Sequence, residues 1–174
     1  SSDIENLGAE FYGRINYGKN SEHYIISDSI DTKYNNFLGH FLHGLKLKSY
    51  EFNKYKSKKE TRLILVNVIG KKNKPSEKNQ LKFKALEAGT FYARDLVSEP
   101  GNVLHPDEYA NRLNSLRKDG LKINIYDDKK LKKIGMHALL GVGQGSVRGS
   151  YLVTMEWNGA KNNSQPLAFV GKGV

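Results

Sequence analysis

Cysteine is absent from this 174-residue chain. That excludes disulfides, thiol catalysis and cysteine-ligated zinc, and it is compatible with the cytosol. No apolar run approaches the roughly 20 residues needed to cross a bilayer, so no membrane partner is expected. The first twenty residues carry Asp3, Glu5, Glu10, Arg14 and Lys19, which excludes a secretory signal among them. An initiator methionine and internal repeats are also missing. The opening on Ser1-Ser2 and a close on what reads as a strand end lead us to expect an incomplete piece.

What is abundant is lysine. Lys and Arg number 28 against 18 Asp and Glu, a net charge of +10. The whole excess lies between Lys46 and Lys84, where thirteen basic residues face only Glu51, Glu60 and Glu77. A block of this kind is either a solvated surface or a footprint for nucleic acid. On the second reading Lys54, Lys56, Lys58, Lys59, Lys71, Lys72 and Lys74 would bind. No base-reading motif accompanies them, so such binding would be weak and salt-sensitive.

Helical and extended periodicities alternate along the chain, which indicates an α/β protein. Ile4, Leu7, Phe11 and Tyr12 have helical spacing, and Tyr24 to Ile26 reads as a short strand. A second helix is expected from Asp31-Thr32, with Tyr34, Phe37, Leu38, Phe41, Leu42 and Leu45 as its apolar stripe. His40 and His43 lie on it three residues apart. A metal pair is conceivable, but the plainer reading is surface histidine. Arg62 to Ile69 reads as a buried strand, and the polar segment from Gly70 to Asn79 as a loop. Leu81, Ala85, Ala88, Tyr92 and Leu96 then mark a long helix that ends before Pro100.

Beyond it, Pro106, Asp107 and Glu108 suit a helix start, Gly120 a stop, and Leu121 to Tyr126 a strand. Asp127 or Asp128 would cap a short lysine-rich helix. Gly141, Gly143 and Ser146 match a dinucleotide loop only in part, and the strand-like Tyr151 to Trp157 follows where a helix is needed; dinucleotide binding is rejected. Trp157-Asn158-Gly159 reads as a hairpin-like turn into a last strand, Leu167 to Val170, which ends in Gly171-Lys172-Gly173. That ending is not a P-loop, because no Ser or Thr follows the lysine.

Four stretches, in order, carry a resemblance. They are Leu47 to Tyr50 with Phe52, Tyr55 and Lys56; Ala93 to Val97 with Pro100, Asn102, Pro106 and Ala110; Gly135-Met136 with Leu139 to Ser146; and Phe169 to Val174. Together they resemble the leucyl aminopeptidase (cytosol aminopeptidase) family, whose last pattern continues as Thr-Phe-Asp-Ser-Gly-Gly. His105 departs from the more usual threonine, and Gly149-Ser150 replaces a common proline. Residues 1 to 44 match only in general character.

The resemblance implies three-layer α/β/α pieces of two domains joined by a long linker helix, with the catalytic domain incomplete. Residues 1–75 would be the rear of the N-terminal domain, 76–98 the linker helix and 99–174 the start of the catalytic domain. It further implies a cytoplasmic, hexameric metallopeptidase that removes N-terminal residues, leucine especially, from peptides. Two divalent ions, zinc or manganese, would activate water in the full-length parent. Lys172 would be one metal ligand. The remaining ligands and the catalytic residues would lie beyond Val174, so this piece alone is expected to bind no metal and to be inactive.

Overall fold

The first helix, α1 (Ser2–Asn16), crosses α2 (Phe37–Lys48) with almost no side chain between the backbones. Gly8 of α1 lies against the Phe41 carbonyl, and Gly44 of α2 against that of Glu5, so a Cβ at either glycine would overlap an oxygen. The computed structural model describes residues 2–31, 33–58, 62–159 and 165–173. The chain is α/β, as expected, and divides into two compact units, Ser1–Ser98 and Glu99–Val174.

The glycine contacts decide which side of α1 turns inward. Ile4, Gly8 and Ile15 are buried, whereas Leu7, expected in the stripe, is half exposed. Alanine normally favours a helix over glycine, but here the methyl has no room. We expect Gly44→Ala to destabilise the first unit by about 1–3 kcal/mol, the usual cost of overpacking. Gly13→Ala, in the same helix pair but with open space around it, should stabilise by about 0.5–1 kcal/mol. Thermal melting of the two variants checks both signs.

Helix α2 begins at Phe37, six residues later than Asp31. Asn36 takes a left-handed conformation, φ 56°, which asparagine tolerates but a helix cannot continue through. Tyr34 accordingly leaves the stripe and is exposed. Strand β1 (Glu22–Ile26) pairs in parallel with β2 (Leu65–Ile69), Tyr24 opposite Asn67. The buried strand expected from Arg62 is shorter and only half covered. His23, Ile25, Val66 and Val68 are sheltered, while Tyr24, Ile26, Leu65 and Ile69 on the opposite face are largely exposed. A continuous apolar run signals cover on both faces, and the described residues supply it on one.

The loop after β2 closes on the turn after β1. The Asp28 carboxylate accepts the Lys71 and Lys72 N–H groups at 2.7 and 2.5 Å. Asn73 donates its amide to the Ser27 and Ile30 carbonyls. Lys72 first and then Lys71 hold the Asp28 carboxyl below its usual range. A lowered folded value means stability that is present above the unfolded value and lost as pH falls through the folded one. Melting temperature should therefore drop on acidification below about pH 4, and less steeply in Asp28→Ala, which lacks the group. Equal slopes in the two proteins would remove Asp28 from the account.

Helix α3 (Glu77–Ser98) has the expected length, but its inward face is rotated. Phe83 is buried, with Glu87, Phe91 and Arg94 on the same side, whereas Leu81, Ala85 and Ala88 are exposed. The partners of that inward face are polar as well as apolar. His43 is buried, stacks on Phe83 at 4.7 Å and donates to Glu87 at 2.9 Å. Arg94 donates to the Leu47 carbonyl at 2.6 Å, and the Tyr50 hydroxyl to Asp95 at 2.8 Å. These bonds fasten α3 to the first unit along most of its length.

In the second unit α4 (Pro106–Ser115) starts on proline, and a short 3₁₀ turn leads to Gly120, φ 94°. Strand β3 (Lys122–Tyr126) pairs antiparallel with β4 (Leu152–Glu156), Asn124 opposite Thr154. Between them lie α5 (Asp128–Lys133), capped by the Asp127 side chain at 3.0 Å, and α6 (His137–Gly143). Leu104, Ala110, Leu113, Ile123 and Leu131 form the core.

Candidate functional site

Gly171-Lys172-Gly173 ends the described chain, and its setting differs from expectation. Residues 165–173 form no strand, and Leu167, Phe169 and Val170 are almost fully exposed, Phe169 by 92% and Val170 by 99%. An apolar run becomes a buried strand only when neighbours complete its hydrogen bonds and cover it. No described strand does so. The hairpin-like turn after Trp157 falls largely on 160–164, outside the described residues.

Part of the tail lies against α4. The Gly173 backbone lies so close to the Tyr109 ring of α4 that a Cβ there would overlap Cε1. Gly171 has open space around it. Helix α4 is itself firmly held. Arg112 donates to Glu108 and to Glu99, both at 2.8 Å, and the Glu99 side chain is 2% exposed. Glu108 first and then Glu99 push the Arg112 ionisation upward. His105 makes no side-chain cap to α4, in line with its departure from threonine. Its Nε2 instead meets Arg148 at 3.1 Å, and Arg148 also reaches Asp107 at 3.6 Å.

A lysine amine can donate to a metal ion only after it has shed its proton. A divalent ion needs about four to six donors. Among the described residues no group of three or more His, Asp or Glu converges on a common point. Lys172, the expected ligand, therefore has no such cluster beside it among the described residues.

The two histidines of α2 face different carboxylates. His40 donates to Glu5 of α1 at 2.8 Å and His43 to Glu87 of α3, which makes them fasteners between helices. That His43 is buried was not legible from its spacing; the signal was Phe83 and Glu87, four apart on α3. The Gly141 to Ser146 stretch begins inside α6 and offers no phosphate loop. Of the seven lysines read as a nucleic-acid footprint, Lys54 lies over the Tyr55 ring at 5.4 Å. Lys71 and Lys72 give their backbone N–H groups to Asp28, and Lys74 lines a polar hollow beside Asn36. Lys56 and Lys58 are exposed, and Lys59 is outside the described residues.

Residues 91–174 match the sequence profile of the cytosol aminopeptidase family, catalytic domain. A probable cytosol aminopeptidase of Agrobacterium fabrum is 44% identical over 140 residues, 77% of this chain and 28% of that protein. One from Nitrobacter winogradskyi is 37% identical over 184 aligned residues, 100% of this chain and 36% of that protein. Among solved structures, a tomato leucine aminopeptidase mutant superposes with a TM-score of 0.76 at 20% identity, over 88% of this chain and 32% of that one. The bottromycin maturation enzyme BotP in complex with Mn gives 0.72 at 22% identity, over 89% and 33%. These structures share the fold, and the chain spans about a third of the length of its curated relatives. No described helix is long and apolar enough to cross a membrane, and the nucleic-acid reading gains no support from the relatives. With residues 91–174 matched to the catalytic profile and a 37% identical relative aligned along its whole length, the chain belongs to the cytosol aminopeptidase family.

Proposed function

We propose that this chain is part of a two-metal leucyl aminopeptidase that releases N-terminal residues, leucine preferred, from peptides. The observation that carries the reading is the 37% identity sustained across the entire chain to a probable cytosol aminopeptidase. Residues 1–75 are then the rear of an N-terminal domain, 76–98 the linking helix and 99–174 the start of a three-layer catalytic domain. The family profile begins at residue 91, inside α3, so that helix runs into the catalytic segment while its bonds tie it to the first unit. Zinc or manganese, a hexameric assembly and a cytoplasmic location belong to the same proposal.

Within it, Lys172 is a ligand to one metal ion. The ion pair, when bound, would supply Lewis-acid polarisation of the scissile carbonyl and a nucleophilic water at neutral pH. What this chain supplies is the lysine, its flanking glycines and the α4 seat beneath them. The reading is tested by purifying the full-length protein and following leucine-amide hydrolysis with and without chelator. Activity that chelation removes and Mn²⁺ or Zn²⁺ restores is the expected result; hydrolysis indifferent to chelator would defeat it. Residues 1–174 alone should show none, since they offer one metal donor.

A further inference from the structure

We propose that Asn158-Gly159 is a site of spontaneous covalent modification, at which the Asn158 amide is lost as ammonia and a mixture of aspartate and isoaspartate is left. The pair reads as a turn in the sequence, and nothing in the peptidase reading uses it. The inference does not depend on a metal.

The chemistry needs a side-chain amide and a following backbone nitrogen that can reach it. The Gly159 nitrogen, after giving up its proton, attacks Cγ of Asn158. A C–N bond forms, the Cγ–Nδ2 bond breaks, and ammonia departs with a proton to leave a five-membered imide. Water then opens the imide at either carbonyl. One opening gives aspartate; the other gives an isoaspartyl link, which lengthens the main chain by one carbon. Nothing is oxidised or reduced, and water is the co-reactant. A Cβ on the attacking residue would crowd its nitrogen, and glycine has none. Asn158 is the only asparagine in the sequence that glycine follows.

The structure leaves this pair open to reaction. Both residues are exposed, just past the end of β4 and outside any helix or strand. Among the described residues none accepts a hydrogen bond from the Gly159 N–H. The Asp119-Gly120 pair could form the same imide, but there the Gly120 N–H donates to the Arg117 carbonyl at 3.0 Å. Asn20-Ser21 is held as well, the Asn20 carbonyl accepting from Arg62, and Asn114-Ser115 lies within α4.

Glycine is also the residue that position 159 demands. A Cβ there would overlap Nε1 of Trp157, with Cδ1 and Cε2 close by. The indole thus favours the one residue that makes Asn158 reactive. The charged groups nearby do not oppose the attack. Asn158 donates its side-chain amide to Glu156 at 3.0 Å. The negative charge of Glu156, which would repel an anionic nitrogen, is balanced by Lys122 at 3.2 Å. Reaction would set a second carboxylate beside Glu156, at the end of the β3–β4 pair. An isoaspartyl link would also alter how the chain leaves β4 on its way to residues 165–173.

The test is to incubate the full-length protein at neutral and mildly alkaline pH, digest it with trypsin and follow the products by mass spectrometry. Residues 149–161 form one tryptic peptide, in which Asn158 is the sole asparagine. That peptide should gain the mass of an amide-to-acid exchange and resolve into two products of equal mass, one of them a substrate for an isoaspartyl methyltransferase. The rate in the folded protein should lie within about tenfold of that in the free synthetic peptide 149–161, because neither a Cβ nor a bonded partner shields the nitrogen. It should rise with pH as more of that nitrogen is deprotonated. Asn158→Gln, whose imide would need a six-membered ring, should yield neither product while melting with the parent. Protection in the folded protein well beyond about tenfold overturns the inference, because the fold would then be shielding the nitrogen. Aspartate without isoaspartate means direct hydrolysis and overturns it too, as does an equal mass gain in Asn158→Gln.

Discussion

Lys172→Ala in the full-length protein is expected to weaken binding of one metal ion and to reduce kcat/KM by at least about a hundredfold, while leaving folding and assembly intact. In water a lysine ammonium is protonated at neutral pH and has no lone pair to give. To serve as a ligand it must lose that proton, for which a dication competes directly. Alanine leaves the ion one donor short. Arginine should do no better, because guanidinium stays protonated. The side chain sits at the end of an exposed segment and supports no described core residue, so its loss has little reason to disturb folding. Metal stoichiometry and peptide hydrolysis measured on the same preparations decide the matter. Full occupancy with normal turnover in Lys172→Ala would return the residue to a solvated lysine.

The parts of this fold that were legible in the sequence are those that local chemistry controls. Pro106 at a helix start, Asp127 as a cap and Gly120 at a left-handed stop each act within a few residues of themselves. The errors arise where a partner distant in sequence decides. Helix α3 has the expected span, but a purely apolar stripe through Leu81, Ala85 and Ala88 misplaces its face. The face that packs carries Glu87 and Arg94, whose partners are His43 and the Leu47 carbonyl on α2. Gly8 and Gly44 read as weak points in helices when taken alone, and only the crossing of α1 and α2 shows them to be contacts. Leu167 to Val170 has the composition of a buried strand, yet its exposure follows from what lies beside it, which composition does not encode. Lys172 itself was singled out by resemblance and not by spacing. A lysine between two glycines has no chemistry until other donors converge on it.

Arg112→Met should destabilise the second unit by about 1–3 kcal/mol, the range for leaving a buried acceptor short of a donor. The two carboxylates on Arg112 are not equivalent. Glu108 is one helical turn away and its side chain is 41% exposed, so water screens it and it contributes no more than about 0.3–0.5 kcal/mol. The Glu99 side chain is 2% exposed and that of Arg112 is 22% exposed. Without the guanidinium, Glu99 would lose its 2.8 Å partner in a place water barely reaches, or would shift to seek another donor. Either outcome loosens the 99–104 turn, whose Pro100 carbonyl accepts the Val103 and Leu104 N–H groups and which delivers buried Leu104 to the core. Glu99→Gln alone should cost less, because a neutral amide buries more cheaply than a carboxylate. The pair Glu99→Gln with Arg112→Met should therefore be more stable than Arg112→Met alone. Chemical denaturation of this chain, with the three variants compared at one pH, reads the order directly. If Arg112→Met melts with the parent, the pair contributes nothing to the unit. If the double variant is the weakest of the three, the buried carboxylate is not the source of the loss.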